Sequence, residues 1–232
     1  MTNVSAIVPA RGGSQGIPLK NLKEIDGKPL VSITANHGLE ADQIDQTIVN
    51  SDHPEIRAAG EEAGARVMKR PERFTQDNSV QEVDRLLQWC VEQLEKEGKN
   101  IDVVVLLYPT APLRTVETVN QAVSMVADGS YDSTLSLYED ASYLWARDDD
   151  TVEPTNYDPV KRGPRQKEDW NQWIENKAVY VMDRDLLMET GCRLGGKIGY
   201  VEMPEWRSID VDHPFDLELA RFLWNNPPNE IE

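Results

Sequence analysis

Apolar positions along the chain fall into short branched runs separated by longer stretches with a helical repeat. Residues 4–8 form a buried-strand run that ends at Pro9 and passes into the glycine-rich turn Arg11-Gly12-Gly13-Ser14-Gln15-Gly16. Pro29 opens a helix through about residue 39, residues 47–50 are β-rich, and 54–63 read as a helix with Gly64 as C-cap. Val80, Val83, Leu86, Leu87, Val91 and Leu94 recur at helical spacing over residues 79–97, and Gly98 stops them. Residues 101–107 are the strongest buried strand, short, branched and almost uninterrupted. A helix over 115–127 and a strand over 133–137 follow. Strands alternating with helices in this way predict an α/β fold, a mainly parallel sheet flanked by helices.

The rhythm breaks at about residues 139–175, which are polar, rich in Trp and Pro, and without a clean period. So long a segment is not expected to be structureless inside a domain. It reads as an inserted arm whose exposed aromatics, Trp145, Trp170 and Trp173, pack on another subunit; a flap over the chain's own site is the alternative. Strands over 178–182 and 198–201 and helices over 184–189 and 214–224 complete a single domain spanning residues 1–232, with a polar tail from 225.

The chain has 232 residues and carries 24 Lys and Arg against 41 Asp and Glu, a formal charge of −17, which argues against a general nucleic-acid binder. An anionic substrate must then be held by local cations or a metal, so each Arg and Lys position is informative. No apolar run approaches the ~18 residues of a membrane span. Residues 1–13 lack the pattern of a secretory signal. Cys90 and Cys192 read as reduced thiols, so the expected location is the cytoplasm. Cys90, inside a helical run, reads as core filling.

Four segments carry candidate chemistry. The turn from Ala10 to Gly16 lets backbone N–H groups approach an anion, and Arg11 adds a fork suited to phosphate; a plain tight turn is the competing reading. Lys20-Asn21 places a cation and an amide just beyond it. In Ser208-Ile209-Asp210-Val211-Asp212 the carboxylates at i and i+2 share one face of an extended chain, about 7 Å apart by Cα. Mg²⁺ suits such a pair; the alternative is a solvated turn with Asp212 as N-cap of the last helix. His213 reads as support for that turn. Tyr108-Pro109-Thr110-Ala111-Pro112-Leu113-Arg114 lies past the strongest strand, where open α/β sheets bind ligands. Lys69-Arg70-Pro71, with Asp77 and Ser79 downstream, is a fourth, weaker segment for a nucleotide edge.

Together, Ile7-Val8-Pro9-Ala10-Arg11-Gly12-Gly13-Ser14, Lys20-Asn21, Arg70-Pro71, Pro109-Thr110-Ala111-Pro112-Leu113-Arg114 and Ser208-Ile209-Asp210-Val211-Asp212 resemble the acylneuraminate cytidylyltransferases over nearly the whole chain. The resemblance implies a Rossmann-like nucleotidyltransferase fold and a homodimer whose arm reaches over its partner. It also implies Mg²⁺ and a reaction of CTP with an acidic nine-carbon sugar that releases pyrophosphate. Carried over by position, Arg11, Lys20, Asp210 and Asp212 form the catalytic set, with the two aspartates on Mg²⁺. Ala10, Arg11, Gly12, Gly13, Ser14, Gln15, Asn21, Arg70, Asp77 and Ser79 face the nucleotide. Tyr108, Thr110, Arg165, Asn176, Lys177 and Tyr180 face the acceptor.

The chain departs from the family pattern at three places. Gln15 stands where the family usually has Lys, Tyr108 where the sialate enzymes commonly have Gln, and Lys177 where they favour Gly. Gln15 lacks a phosphate-facing cation, which Lys177 or Lys197 could offset. The other two bear on the acceptor, and suggest one that is smaller or more anionic than N-acetylneuraminate, such as a phosphonate or another ulosonic acid. A nucleotide-binding homologue without turnover and an enzyme using GTP or a sugar-1-phosphate are the competing readings.

Overall fold

Branched residues buried on both faces build the centre of a seven-stranded sheet in the computed structural model, which describes residues 2–14, 16–75 and 80–228, without the side chains of 80, 81, 167 and 168. The chain begins with β1 (Val4–Pro9), two short strands β2 (Glu24–Ile25) and β3 (Lys28–Pro29), and α1 (Leu30–Leu39). It continues through β4 (Gln46–Ser51), α2 (Pro54–Glu62), β5 (Arg66–Lys69), α3 (Val80–Lys96), β6 (Val103–Leu106) and α4 (Val116–Ala127). After β7 (Ser133–Asp140) come a hairpin of β8 (Trp145–Asp148) and β9 (Thr151–Pro154), then β10 (Gln172–Asp183), α5 (Arg184–Thr190), β11 (Ile198–Glu202) and α6 (Pro214–Asn225).

The strand order is β11-β7-β10-β6-β1-β4-β5. Every pair is parallel except those of β10, which runs antiparallel to both β6 and β7. Alternate residues feed opposite faces. Ala6, Val8, Val49, Val105 and Val179 pack under α1, α2 and α4, while Ile7, Ile48, Val104, Leu106 and Met182 pack under α3 and α5. Cys90 sits wholly inside the second layer, where burial pushes its thiol up to about 12. A third cluster joins Ile17, Ile25, Leu30, Val211 and Leu217, so that the glycine turn, the β2–β3 hairpin and α6 share one small core.

The sheet is mainly parallel, as expected, with one reversed strand that the sequence pattern did not mark. Periodicity reports which residues are buried and is silent on strand direction. Strand β5 and the β2–β3 hairpin were not expected: β5 is a four-residue edge strand with charged ends, and β2 and β3 have two residues each.

The arm is the extended base of β7 and β10, paired from Gln172↔Asp140 to Glu175↔Leu137, topped by the β8–β9 hairpin. Its aromatics are not uniformly exposed. Tyr143 stacks edge-on against Tyr157 and Trp170 with centroids 4.6 and 4.8 Å apart, and Trp173 tilts against Tyr200. Trp145, about half exposed, presents the open surface. Trp170 and Trp173 are partly covered within the chain, the first by the arm's own stack and the second by Tyr200 of β11. Among the described residues, no helix is long and apolar enough to cross a membrane.

His37 on α1 has a pH consequence. Its Nδ1 accepts from Arg114 at 3.4 Å, and burial, then the Arg114 charge, push its pKa down to about 3. The unfolded chain binds a proton below pH 6.5 that the folded chain refuses, so this contribution is complete above 6.5 and lost as the pH falls toward 3. The ring keeps some solvent contact, which limits the effect. Wild type is expected to lose about 1 kcal/mol more than His37→Gln between pH 7 and 5.5 in urea melts. Parallel losses in the two proteins would remove this role.

Candidate functional site

The ends of five strands converge on one edge of the sheet. Strands β1, β4, β5 and β6 deliver their carboxyl ends: the Arg11 turn, Asp52, Arg70 and the loop 108–114. Being antiparallel, β10 delivers its amino-terminal half to the same edge. A ligand site beyond the strand ends is what open α/β sheets provide.

The glycine turn is held from beneath. The Ala10 amide donates to Asn50 O at 2.9 Å, the Gly12 amide to an Asp52 carboxylate oxygen at 2.8 Å, and the Asn21 amide to Arg11 O at 2.9 Å. A Cβ on Gly12 would press on the His53 side chain, and one on Gly16 would fall inside van der Waals contact of the Asp212 carbonyl oxygen. Gly16 thus lets the turn lie directly against the aspartate segment. Gly16→Ala is expected to lower the melting temperature by several degrees, because the new Cβ meets backbone that cannot yield and moves the two halves of the site apart. An unchanged thermal melt would mean that this contact does not hold the two halves together.

Each aspartate takes a lysine. Lys20 Nζ donates to Asp212 Oδ1 at 2.7 Å, and Lys177 Nζ donates to Asp210 Oδ2 at 2.6 Å. Lys20 is nearly buried, whereas Asp212 is more than half exposed. Burial favours the protonated form of Asp212, but the Lys20 bond and charge outweigh it and hold the carboxyl below its usual range. Asp210 Oδ1 is buried and has no hydrogen-bond partner among the described residues. The Val211 amide between them donates to Thr110 O at 2.7 Å, which fixes the aspartates to the proline loop. Hence Asp212 does not cap α6. His213 is the N-cap, and Asp216 accepts from the Asp212 and His213 amides.

Two clefts adjoin here: the aspartates line the larger, and Lys20, bonded to Asp212, lines the smaller. The smaller, about 210 Å³, is lined by Arg11, Ser14, Lys20, Asn21, Arg70 and Glu82, among others. Arg70 is buried in a 3.0 Å ion pair with Glu82, and its Nε donates to Phe74 O. The larger, about 690 Å³, is lined by Lys177, Tyr180, Arg193, Asp84, Asp210 and Asp212, among others. Arg11, Tyr108 and Thr110 border both. Arg193 is buried, with Nε 2.6 Å from Asp84 and NH1 donating to Tyr108 OH at 2.7 Å. Tyr180 donates its hydroxyl to Glu175; burial, and then that bond, raise its pKa. Burial raises Tyr108 as well, against the pull of Arg193.

Three of the expected site residues lie away from the clefts. Ala10 is fully buried in the sheet core. Arg165 lies exposed on the arm. Asn176 is buried, its amide committed: Oδ1 accepts from Ser136 Oγ at 2.5 Å and the Ala178 amide at 3.1 Å, while Nδ2 donates to Ser208 Oγ at 2.9 Å. It locks β10 to β7 and to the aspartate segment. Gly12 and Gly13 lie in the turn itself. Gln15, Asp77 and Ser79 lie outside the described residues. Sequence reasoning passed over Glu82, Asp84, Glu175 and Arg193. The first two look like an ordinary acidic helix start, and Asp84 and Arg193 are 109 positions apart. Nothing local marks them.

The fold and cleft define a Rossmann-like α/β protein of the nucleotidyltransferase type. A family model described as "Cytidylyltransferase" matches residues 5–215, and the chain belongs to that family. It is 31% identical over 223 residues to "N-acylneuraminate cytidylyltransferase A" of Danio rerio, covering 94% of this chain and 50% of that one. It is 34% identical over 120 residues to "Pseudaminic acid cytidylyltransferase" of Campylobacter jejuni, covering half of each. The chain spans about half the length of the curated relatives it matches. A solved structure of CMP:2-keto-3-deoxy-manno-octonic acid synthetase complexed with CTP shares the fold, with TM-score 0.67, 20% identity, and coverage of 97% of this chain and 99% of that one.

Proposed function

We propose that this chain is a Mg²⁺-dependent cytidylyltransferase that transfers CMP from CTP to an oxygen of a sialic-acid-like nonulosonic acid and releases pyrophosphate. The observation that carries this reading is the aspartate pair, held by Lys20 and Lys177, which lines the larger cleft and is tied through Lys20 to the smaller. The smaller cleft, with Arg11, Lys20 and Arg70, suits the nucleotide; the larger suits the acceptor. Relatives named for N-acylneuraminate and pseudaminic acid support a sugar acid.

Asp210 and Asp212 fit Mg²⁺: both present hard oxygens, and the buried, unpartnered Asp210 Oδ1 is an open ligand position. Among the described residues, no third acidic, His or Cys side chain joins them. That suits a cation which takes its remaining ligands from water and phosphate. Bound there, Mg²⁺ would supply charge relief at the phosphates. Lys20 and Arg11 are placed to hold the phosphate oxygens and the pyrophosphate leaving group, and the turn keeps them in register with the aspartates. Tyr108 and Tyr180 hold their protons more tightly than free tyrosines, so neither suits the role of base.

Lys177 lines the larger cleft and is paired there with Asp210. A homodimer joined through the arm, with Trp145 as its exposed aromatic, and a cytoplasmic location belong to the same reading. The test is pyrophosphate release with Mg²⁺ across nucleotides and acidic acceptors. Release is expected with CTP and a nonulosonate, and not with ATP, GTP or UTP. Silence on every acceptor with CTP binding intact, or release from GTP with a sugar-1-phosphate, would overturn the proposal.

A further inference from the structure

Lys177 sits where its backbone is costly. Strand β10 loses register with β7 between Glu175 and Tyr180, and within that bulge Lys177 adopts φ +59°, a left-handed conformation that glycine takes freely and other residues take at about 1 kcal/mol. The bulge turns the residue toward the cleft. Its side chain is half exposed, lines the acceptor cleft beside Tyr108, Thr110 and Tyr180, and ends on Asp210 Oδ2 at 2.6 Å. A strained residue at a functional edge points to a task for its side chain.

The partner defines the task. Asp210 is one of the two carboxylates suited to a divalent cation, and the ammonium occupies one of its oxygens while the other is buried and unpaired. A cation arriving at Asp210 meets a like charge already bonded there. Lys20, by contrast, is nearly buried on Asp212 and borders the nucleotide cleft. The two lysines therefore differ: Lys20 is nearly buried between Asp212 and the smaller cleft, whereas Lys177 is half exposed on a flexible four-carbon stem in the larger one.

We propose that Lys177 is an exchangeable counter-ion. It neutralises Asp210 while the carboxylate pair lacks a divalent cation, and it moves to the carboxylate of the acidic acceptor once Asp210 is engaged. Metal occupancy and acceptor binding are thereby coupled through one ammonium group, each favouring the other. Lys177 is a positioning residue, and the inference rests on the reading of the chain as a metal-dependent cytidylyltransferase.

The test measures Mn²⁺ binding by electron paramagnetic resonance in the presence of the α,β-methylene analogue of CTP, with and without N-acetylneuraminate. Wild type, Lys177→Met and Lys177→Arg are compared. Without acceptor, Lys177→Met is expected to bind Mn²⁺ roughly fivefold more tightly, because a half-exposed ion pair no longer competes. Lys177→Arg keeps the charge and is expected to stay near wild type. The acceptor is expected to tighten Mn²⁺ binding in wild type and not in Lys177→Met. Unchanged or weaker Mn²⁺ affinity in Lys177→Met, with a normal circular-dichroism melt, would overturn the counter-ion role and leave the proposed function standing. Absence of Mn²⁺ and nucleotide-analogue binding in all three proteins would overturn both.

Discussion

Asp212→Ala is expected to lower the rate of pyrophosphate release from CTP on the order of 10²–10³-fold, the scale seen when one preorganised electrostatic partner is removed from a reacting centre. Two losses combine in that substitution. One of the two carboxylates facing the clefts disappears, and Lys20, nearly buried and bonded to Asp212 Oδ1 at 2.7 Å, loses its counter-ion. Because Lys20 is left nearly buried without its counter-ion, the melting temperature is expected to fall as well, by several degrees. Asp212→Asn keeps the shape and hydrogen-bonding reach while removing the charge. A similar loss in that variant would assign the effect to charge, and recovery to within threefold of wild type would assign it to packing. Retention of full rate in Asp212→Ala would remove the aspartate pair from the centre of the reaction.

Arg114→Met is expected to cost about 3–5 kcal/mol of stability and roughly 10 °C in melting temperature. Arg114 is 2% exposed, and no carboxylate pairs with it among the described residues. Its guanidinium instead donates to Ala178 O at 2.7 Å, to Thr34 Oγ1 at 3.2 Å, to Tyr108 O and to His37 Nδ1. Burial pushes its pKa down to about 9, still charged at neutral pH. Methionine fills most of the volume but takes a donor from the Ala178 carbonyl and from the buried Thr34 hydroxyl, each a desolvation cost of about 1–3 kcal/mol, while Tyr108 O keeps the Ala111 amide. The same contacts tie the loop carrying Tyr108 and Thr110 to the β10 bulge carrying Lys177, so activity is expected to fall along with stability. Thermal and urea melts read the effect; a loss under 1 kcal/mol would show that water or a neighbour replaces the guanidinium.

Arg114 also shows where sequence reading stops. Its motif places it beside a ligand loop, and the resemblance treats that loop as substrate-facing, yet the side chain turns inward and acts as a bracket. Asn176 repeats the lesson: an amide expected at the acceptor is spent joining Ser136, Ala178 and Ser208. In both cases residue type and position were legible, while the direction of the side chain depended on which strand lay alongside. Asp84 and Arg193 were invisible for the same reason, since a helix start and a loop 109 positions later become partners only when α3 and α5 pack together on one face of the sheet.

The sequence by itself determined the alternation of strands and helices, the glycine-rich turn after β1, the aspartate pair before α6, and the burial of Cys90. These follow from local rules: side-chain period, proline and glycine conformation, and like charges two residues apart on one extended face. Only the tertiary structure decided that β10 runs backwards and so brings its bulge to the carboxyl ends of its neighbours. It also decided that Lys20 and Lys177 take one aspartate each, and that the third cluster fastens the glycine turn to the aspartate segment. Those features depend on contacts between residues remote in the chain, and local pattern, which reports burial, carries no information about which distant group arrives to share it.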